Sequence, residues 1–461
     1  MILGEVFQRF VSKSPISVMA RGLMERAFNP QRLDEWFEAT AESQYTRNLL
    51  FSSVFEIMSL VVCGIHRSVH AAYQATGEDI GVSITSVYNK LIALEPGTAA
   101  GLVRYAVGEA TPLIEELRGT LPELLPGLRV KLLDGNCIEA SERRIEALRS
   151  LGAGPLPGKS LVVYDPRLGL PIDVFPCEDG HAQERSLLHQ VLPTVAADDV
   201  WIADRNFCTR SFLSGLHARG AYFIIRQHGT LPWEGLGRGL RPAGKGPTGA
   251  ILEQRVRVTD EEGNALYLRR ICVRLKKKTR DGDSEIYLLT NLPKSLAPAK
   301  LVAELYRGRW TIETAFQELT EHLNSEINTL GYPRAALFGF CVALVAYIIL
   351  ATIKAAIRGV WGAETVERTV SGYYIADEIS GTYRGMLIAI PEVEWRIFRT
   401  LTQSELVRLL RELVAAIDLR RFRKHPRGPK KPSPKRKVNK KQPHVSTARI
   451  IANRKKQIKA P

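Results

Sequence analysis

Apolar residues in the first 125 positions recur at helical spacing with few β-branched runs, which predicts an α-helical region. Breaks are expected near Asn29-Pro30, Gly77 and Pro96-Gly97. From Arg129 the pattern shortens to β-rich runs, RVKLLDG, SLVVYD, PIDVFP, DVWIAD and AYFIIR, most of them ending in a turn signal. Helix-patterned ERSLLHQVLPTV and TRSFLSGLHARG separate the last three of these runs. Three strands followed by helix–strand–helix–strand predict an α/β fold around one central sheet. Gly- and Pro-rich Gly235 to Gly249 reads as a loop, and the alternating LEQRVRVTD, ALYLRRICVRL and EIYLLTNLP beyond it predict an all-β insertion. A long amphipathic helix is expected from Ala299, then an apolar helix, then further helix to about Leu419.

The apolar segment, Ala335 to Ile353, has the length of one membrane span. It stands alone between strongly charged, helix-patterned segments, so a helix buried on all sides explains it better and no membrane partner is expected. The 461 residues suffice for two or three domains. Their net charge of +16 is unevenly spread: 17 of the 64 Lys and Arg lie between Arg420 and Pro461, where there is no Asp or Glu. The remaining 47 meet 48 acidic residues, so the excess is one tail. That tail lacks the apolar content to fold alone and is expected to be disordered. Its Pro breaks and one-sided charge suit sequence-independent contact with phosphates. The six Cys are scattered singly without a CxxC, and the start lacks a cationic flank and long apolar run, which together predict an intracellular, reduced protein.

Three carboxylates stand out by position. Asp134 ends the first predicted strand and Asp204 the fourth, where residues of an open sheet line the ligand crevice. Glu313 lies on the long helix, on which Tyr306, Arg309, Trp310 and Glu313 fall at i, i+3, i+4 and i+7 of one face. Phosphodiester chemistry needs such a set: hard oxygens for Mg²⁺ and a guanidinium that grips a phosphate bidentately. Singly, an Asp at a strand end is more often a cap and a Glu on an amphipathic helix is usually solvated; their joint placement is what points to metal-assisted phosphoryl transfer.

LLDGN, VWIADRNFCTRSFL and LYRGRWTIETAF resemble segments of the DDE transposases of the IS-four family of insertion sequences. The resemblance spans about Arg129 to Ile357 and extends weakly to EDGHAQERSLL and TNLP. It implies a ribonuclease-H-like α/β mixed sheet with helices, interrupted by an all-β insertion and joined to a helical N-terminal domain. It also implies Asp134, Asp204 and Glu313 as catalytic ligands of two Mg²⁺, with Mn²⁺ able to substitute. The family signature on the last helix is Tyr, Arg, Glu and Lys; Tyr306, Arg309 and Glu313 match, and Thr320 stands where the Lys is expected. The implied partners are DNA, as terminal repeats and target, and a second copy of the chain in a synaptic complex. The implied location is the bacterial cytoplasm, at the nucleoid. The expected domains are 1–125, helical and DNA-end-binding; 126–226, the first part of the core; 227–298, the β-rich insertion; 299–419, core and C-terminal helices; and 420–461, the tail. A catalytically inactive DNA-binding relic and a nuclease without strand joining are the rival readings.

Lesser motifs divide. GLRPAGKG, Gly239 to Gly246, nearly satisfies a P-loop, but Gly stands where a Ser or Thr is needed and a strand-like run follows, so it is rejected as a nucleotide site. Cys63, His66 and His70 could share a helical face, but a structural zinc takes four ligands and no fourth is near. Gly77 to Leu91 reads either as the turn and second helix of a helix-turn-helix, with Ser83 as cap and Thr85, Ser86 and Asn89 outward, or as an ordinary connection. Trp233 would either stack on an extruded base or pack the insertion.

Overall fold

The computed structural model describes residues 3–42, 48–279, 282–425 and 444–459. Before the sheet run α1 (Glu5–Lys13), α2 (Pro15–Ala27), α3 (Pro30–Thr40), α4 (Phe51–Val62), α5 (Val69–Ile80), α6 (Ile84–Ala93) and α7 (Pro96–Glu116). Asn29 caps α3 through the amide of Arg32, and Pro30 and Pro96 open their helices as N-terminal prolines do. The break expected at Gly77 falls instead at Gly81, whose φ of 66° ends α5 in the left-handed conformation that glycine adopts without strain.

The core strands are β1 (Arg129–Cys137), β2 (Gly154–Leu156), β3 (Lys159–Asp165) and β4 (Leu170–Cys177). After them come α8 (Leu188–Val191), β5 (Asp199–Ala203), α9 (Arg210–Ala218) and β6 (Tyr222–Arg226). The insertion supplies β7 (Glu234–Lys245), β8 (Gly249–Thr259), β9 (Ala265–Leu275) and β10 (Glu285–Thr290). The large sheet has the order β4-β3-β1-β5-β6-β10-β9-β8-β7. β1, β5 and β6 run parallel, and β3 and β4 fold back antiparallel. This is the ribonuclease-H-like mixed sheet. The insertion is β-rich as expected, but it continues the same sheet, since β10 pairs with β6. The segment expected as a Gly- and Pro-rich loop is largely edge strand β7. Its bulges take up Gly237, Gly239 and Gly244 at positive φ, and an edge tolerates Pro242 because one side of the strand needs no amide donor.

Side-chain alternation builds both faces of the sheet. Val200 and Ile202 of β5 enter one cluster, with Val130, Leu132 and Ile224. Trp201 and Ala203 enter the other, with Leu133, Phe223 and Phe212 of α9. The first face is covered by α10 (Ala299–Gly308) and α11 (Trp310–His322) through Val302, Leu305 and Ile312.

Next follow α12 (Pro333–Trp361), α13 (Ala363–Thr369), α14 (Gly372–Ala389), α15 (Glu392–Trp395), α16 (Ile397–Thr400) and α17 (Gln403–Ala415). The apolar segment is α12, which packs on α2, α4, α6, α7, α14, α17 and β4. Of its most apolar window 83% is buried inside the protein. Phe338, Phe340, Leu344 and Ile348 are fully enclosed, each stabilising the fold by about 1.5–3 kcal/mol. The N-terminal helices have no separate core: residues from Leu3 to Leu117 share one apolar cluster with α12, α14 and α17. The tail differs from expectation too. Residues 426–443 lie outside the described residues, but His444–Ser446 form β11 and Thr447–Lys459 form α18. β11 pairs in parallel with β2.

On α14, burial pushes the Glu378 carboxyl up to about 6 from 4.5, although Arg421 Nη2 lies 3.1 Å away and opposes the shift. A carboxyl raised in the folded state binds more protons there than in the unfolded chain between those two values. Its contribution to stability is therefore gained as pH falls through that window and is lost above it. Glu378→Gln should raise the melting temperature relative to wild type at pH 7.5 more than at pH 5, measured by thermal unfolding at both.

Candidate active site

Register brings the first two acids together. The last β1–β5 pair is Leu133↔Ala203, so Asp134 and Asp204 come next on adjacent parallel strands. Leu133 and Ala203 face the α9 side, and alternation turns the following residue of each strand toward α10 and α11. Asp134 is not at the end of its strand as expected, because β1 continues to Cys137 against β3. Asp204 does end β5, at the cap position of a short 3₁₀ turn, Arg205–Phe207.

The expected single long helix is two. α10 ends at Gly308 and α11 begins at Trp310, with Arg309 helical between them and its amide donating to Tyr306 O at 3.0 Å. From this junction the Tyr306 hydroxyl donates to Asp204 Oδ1 at 3.1 Å. Arg309 Nη1 donates to Asp134 Oδ2 at 2.7 Å, and Nη2 to Glu313 Oε1 at 2.6 Å. Five of the seven residues singled out in the sequence therefore meet. Trp310 does not join them; it is 61% exposed. Trp233 sits on the insertion, where the Arg270 guanidinium lies 4.4 Å from its ring centroid and also stacks on Tyr287. Thr320, at the place of the signature Lys, bonds back to Phe316 O on the exposed side of α11. Asp199, at the start of β5, forms a buried ion pair with Lys131 at 2.6 Å at the opposite end of the strands.

Burial lifts the Asp134 carboxyl to about 6, against the pull of the Arg309 charge and an amide bond from Gly135. Glu313 and Glu184 add to the rise. The Arg309 guanidinium is held above its ordinary value: burial opposes this, and the carboxylate charges of Asp134, Glu313 and Asp204 outweigh it. Burial, joined by the Asp204 charge, pushes the Tyr306 hydroxyl up, so it stays a donor at neutral pH. All the carboxylate oxygens are hard donors of the kind divalent Mg²⁺ accepts. The guanidinium fills the centre of the cluster, and among the described residues no three His, Cys, Asp or Glu side chains surround a common metal position. The acidic oxygens are of the type a divalent cation takes, and Arg309 occupies the place between Asp134 and Glu313. Burial still dominates at Asp134 with Arg309 in place, and Arg309 Nε and Asn136 Nδ2 are buried donors without partners.

Glu184 was missed in the sequence, where a single Glu in a polar turn carries no signal. It packs over the backbone of Gly135, where a Cβ would stand 2.2 Å from Glu184 Oε1. It accepts from Asn206 Nδ2 at 3.3 Å, so it ties the segment after Asp134 to the segment after Asp204. Beside it opens a recess of about 640 Å³ whose lining includes Lys159, Arg185, Arg205, Arg210 and His228.

Away from the sheet, α5 packs on α4 and α6 on α12, and the short segment 81–83 joins the two helices. Ser83 caps α6 through the amide of Ser86. Val87 and Leu91 are buried, and Thr85 and Asn89 are exposed.

The chain is similar to known transposases over part of its length. The Transposase DDE domain family matches residues 141–349, which include Asp204 and Glu313 and begin seven residues after Asp134. A protein of Sinorhizobium fredii (strain NBRC 101917 / NGR234), named as a presumptive transposase, y4zB, is 26% identical over 42% of this chain. The match spans 52% of that protein, about half its length. The transposase of insertion sequence element IS421 from Escherichia coli is 27% identical over 50% of this chain and 68% of its own. Among solved structures, a piggyBac transposase synaptic complex with hairpin DNA aligns over 88% of this chain and 86% of its own, at 12% identity and a TM-score of 0.37. With its strand order, its acids and its sequence relatives taken together, the chain is similar to DDE transposases of the IS-four-like type over its DDE-domain segment.

Proposed function

We propose that this chain is a transposase that cuts DNA at the ends of an insertion sequence and joins the freed 3′-hydroxyl to target DNA by metal-assisted phosphoryl transfer. The observation that carries the proposal is the meeting of Asp134, Asp204 and Glu313 around Arg309 and Tyr306, from elements 70 and 109 residues apart in sequence. Asp134, Asp204 and Glu313 would hold Mg²⁺, in two ions, with Mn²⁺ as substitute. Such ions, if bound there, would supply activation of the attacking oxygen and stabilisation of the leaving one. Arg309, drawn off the carboxylates, grips a non-bridging phosphate oxygen, and Tyr306 keeps Asp204 oriented. No protein nucleophile is required. The cationic recess beside Glu184 suits the backbone of a strand leaving the site, because lysine and arginine bind phosphate without reading sequence. Thr85 and Asn89, exposed on α6, would touch DNA ends. Two copies would pair the two ends, in the bacterial cytoplasm at the nucleoid.

The test is incubation of the purified chain with cleaved element ends, Mg²⁺ and a target plasmid. Joined products are expected. Cutting without joining would leave a nuclease, and binding without either would leave an inactive relic.

A further inference from the structure

The C-terminal helix α18 is anchored at the same end of the sheet as the catalytic carboxylates. In the β1–β3 and β3–β4 registers, Cys137 pairs with Lys159 and Lys159 with Cys177, so the end of β1, the start of β3 and the end of β4 are level. β2 precedes β3 by two residues and carries β11, with Ser446 opposite Leu156. Ser446 and Thr447 are buried, the latter completely. Just past β4, Asp179 receives Arg449 Nη2 at 2.7 Å and Nε at 2.9 Å. These bonds hold the Asp179 carboxyl below its usual value, although burial opposes them. Arg454 reaches Glu146 at 2.7 Å. With Arg449 and Arg454 spent on the core, α18 presents Lys455 and Lys456 to solvent, and no acid lies on it.

We infer that β11 and α18 form a cationic arm, latched by Asp179, that takes the phosphate backbone of duplex DNA beside the active site. This rests on the DNA-acting reading above. A tail acting only through its charge would need no fixed place. Buried Thr447, the strand pairing and the doubly bonded Arg449 give this segment one.

The latch predicts an effect opposite to that of simple electrostatics. Asp179→Asn removes a negative charge, which by itself strengthens attraction to DNA. If Asp179 positions the arm, the variant should instead bind DNA more weakly. The probe is a labelled 40-base-pair duplex of mixed sequence, titrated with full-length protein across a salt series. Lys455→Gln/Lys456→Gln should flatten the log–log salt slope by about 1–2 units, since each phosphate contact on duplex DNA contributes about 0.9. Asp179→Asn should lose affinity by a similar factor. Combined with the lysine changes it should lose little more, because both act on one arm. Glu364→Gln, on exposed α13, removes the same charge away from the arm and should bind as wild type or slightly tighter. Hydrogen exchange of the α18 amides should speed up in Asp179→Asn alone. An Asp179→Asn chain that binds like Glu364→Gln, or an unchanged slope in the lysine variant, overturns the arm. A wild-type chain without salt-dependent binding would instead overturn the DNA-acting reading on which the arm rests.

Discussion

Asp204→Asn should cut and join DNA at least about 10³-fold more slowly than wild type while binding duplex DNA with unchanged affinity, as expected for loss of a group that acts only in the chemical step. The substitution keeps the size of the side chain and an oxygen that can accept from the Tyr306 hydroxyl, now at 3.1 Å from Asp204. It removes the charge that would attract a divalent ion. The fold around it rests on Val200, Trp201, Ile202 and Ala203, all fully buried, and these are untouched. Rates come from single-turnover cleavage and strand-joining assays, and affinity from anisotropy on the same duplex. A variant that cleaves near the wild-type rate would remove Asp204 from the ligand set. A variant that loses binding and thermal stability together would show a packing role for the residue.

Much of this architecture was legible because short apolar runs ended in turn residues. RVKLLDG, SLVVYD, PIDVFP, DVWIAD and AYFIIR all became strands of the one sheet, and the three acids found in them and on the following helix meet. What escaped notice has physical reasons. β7 looked like a loop because its glycines and Pro242 suit irregular backbone, yet an edge strand bulged at those glycines tolerates them. Amphipathic spacing shows that a helix has a buried face but not what covers it. Nothing before Leu117 announced a core shared with α12, α14 and α17. The composition of the basic tail carries no sign that His444, Val445 and Ser446 pair with β2 or that Asp179 holds Arg449. Signature spacing brought Tyr306, Arg309 and Glu313 to one site but gave no warning that Trp310 would face solvent. It also gave no sign that the helix would divide at Arg309.

Arg309→Ala should both destabilise the chain and change its response to divalent ions. The guanidinium is 8% exposed and bonds both Asp134 and Glu313, so its removal leaves a buried carboxyl without its nearest cation. Breaking such a pair costs on the order of 3 kcal/mol at neutral pH. Asp134 already sits at about 6 with Arg309 beside it and would rise further without it. The loss should therefore be largest above that value and should shrink as pH falls and the carboxyl takes up a proton. Mn²⁺ or Mg²⁺ should restore part of the melting temperature, and should raise it more in Arg309→Ala than in wild type, because the ion no longer competes with a guanidinium for the same oxygens. DNA cleavage should still fall by about 10², since nothing then grips the phosphate. Arg309→Lys should recover part of the stability but little of the rate, because one ammonium cannot span two carboxylates as a planar fork does. Thermal unfolding with and without Mn²⁺ at pH 5.5 and 8, beside cleavage rates, checks every part. A variant as stable as wild type and indifferent to Mn²⁺ would mean that Arg309 is not the group occupying the place of the metal.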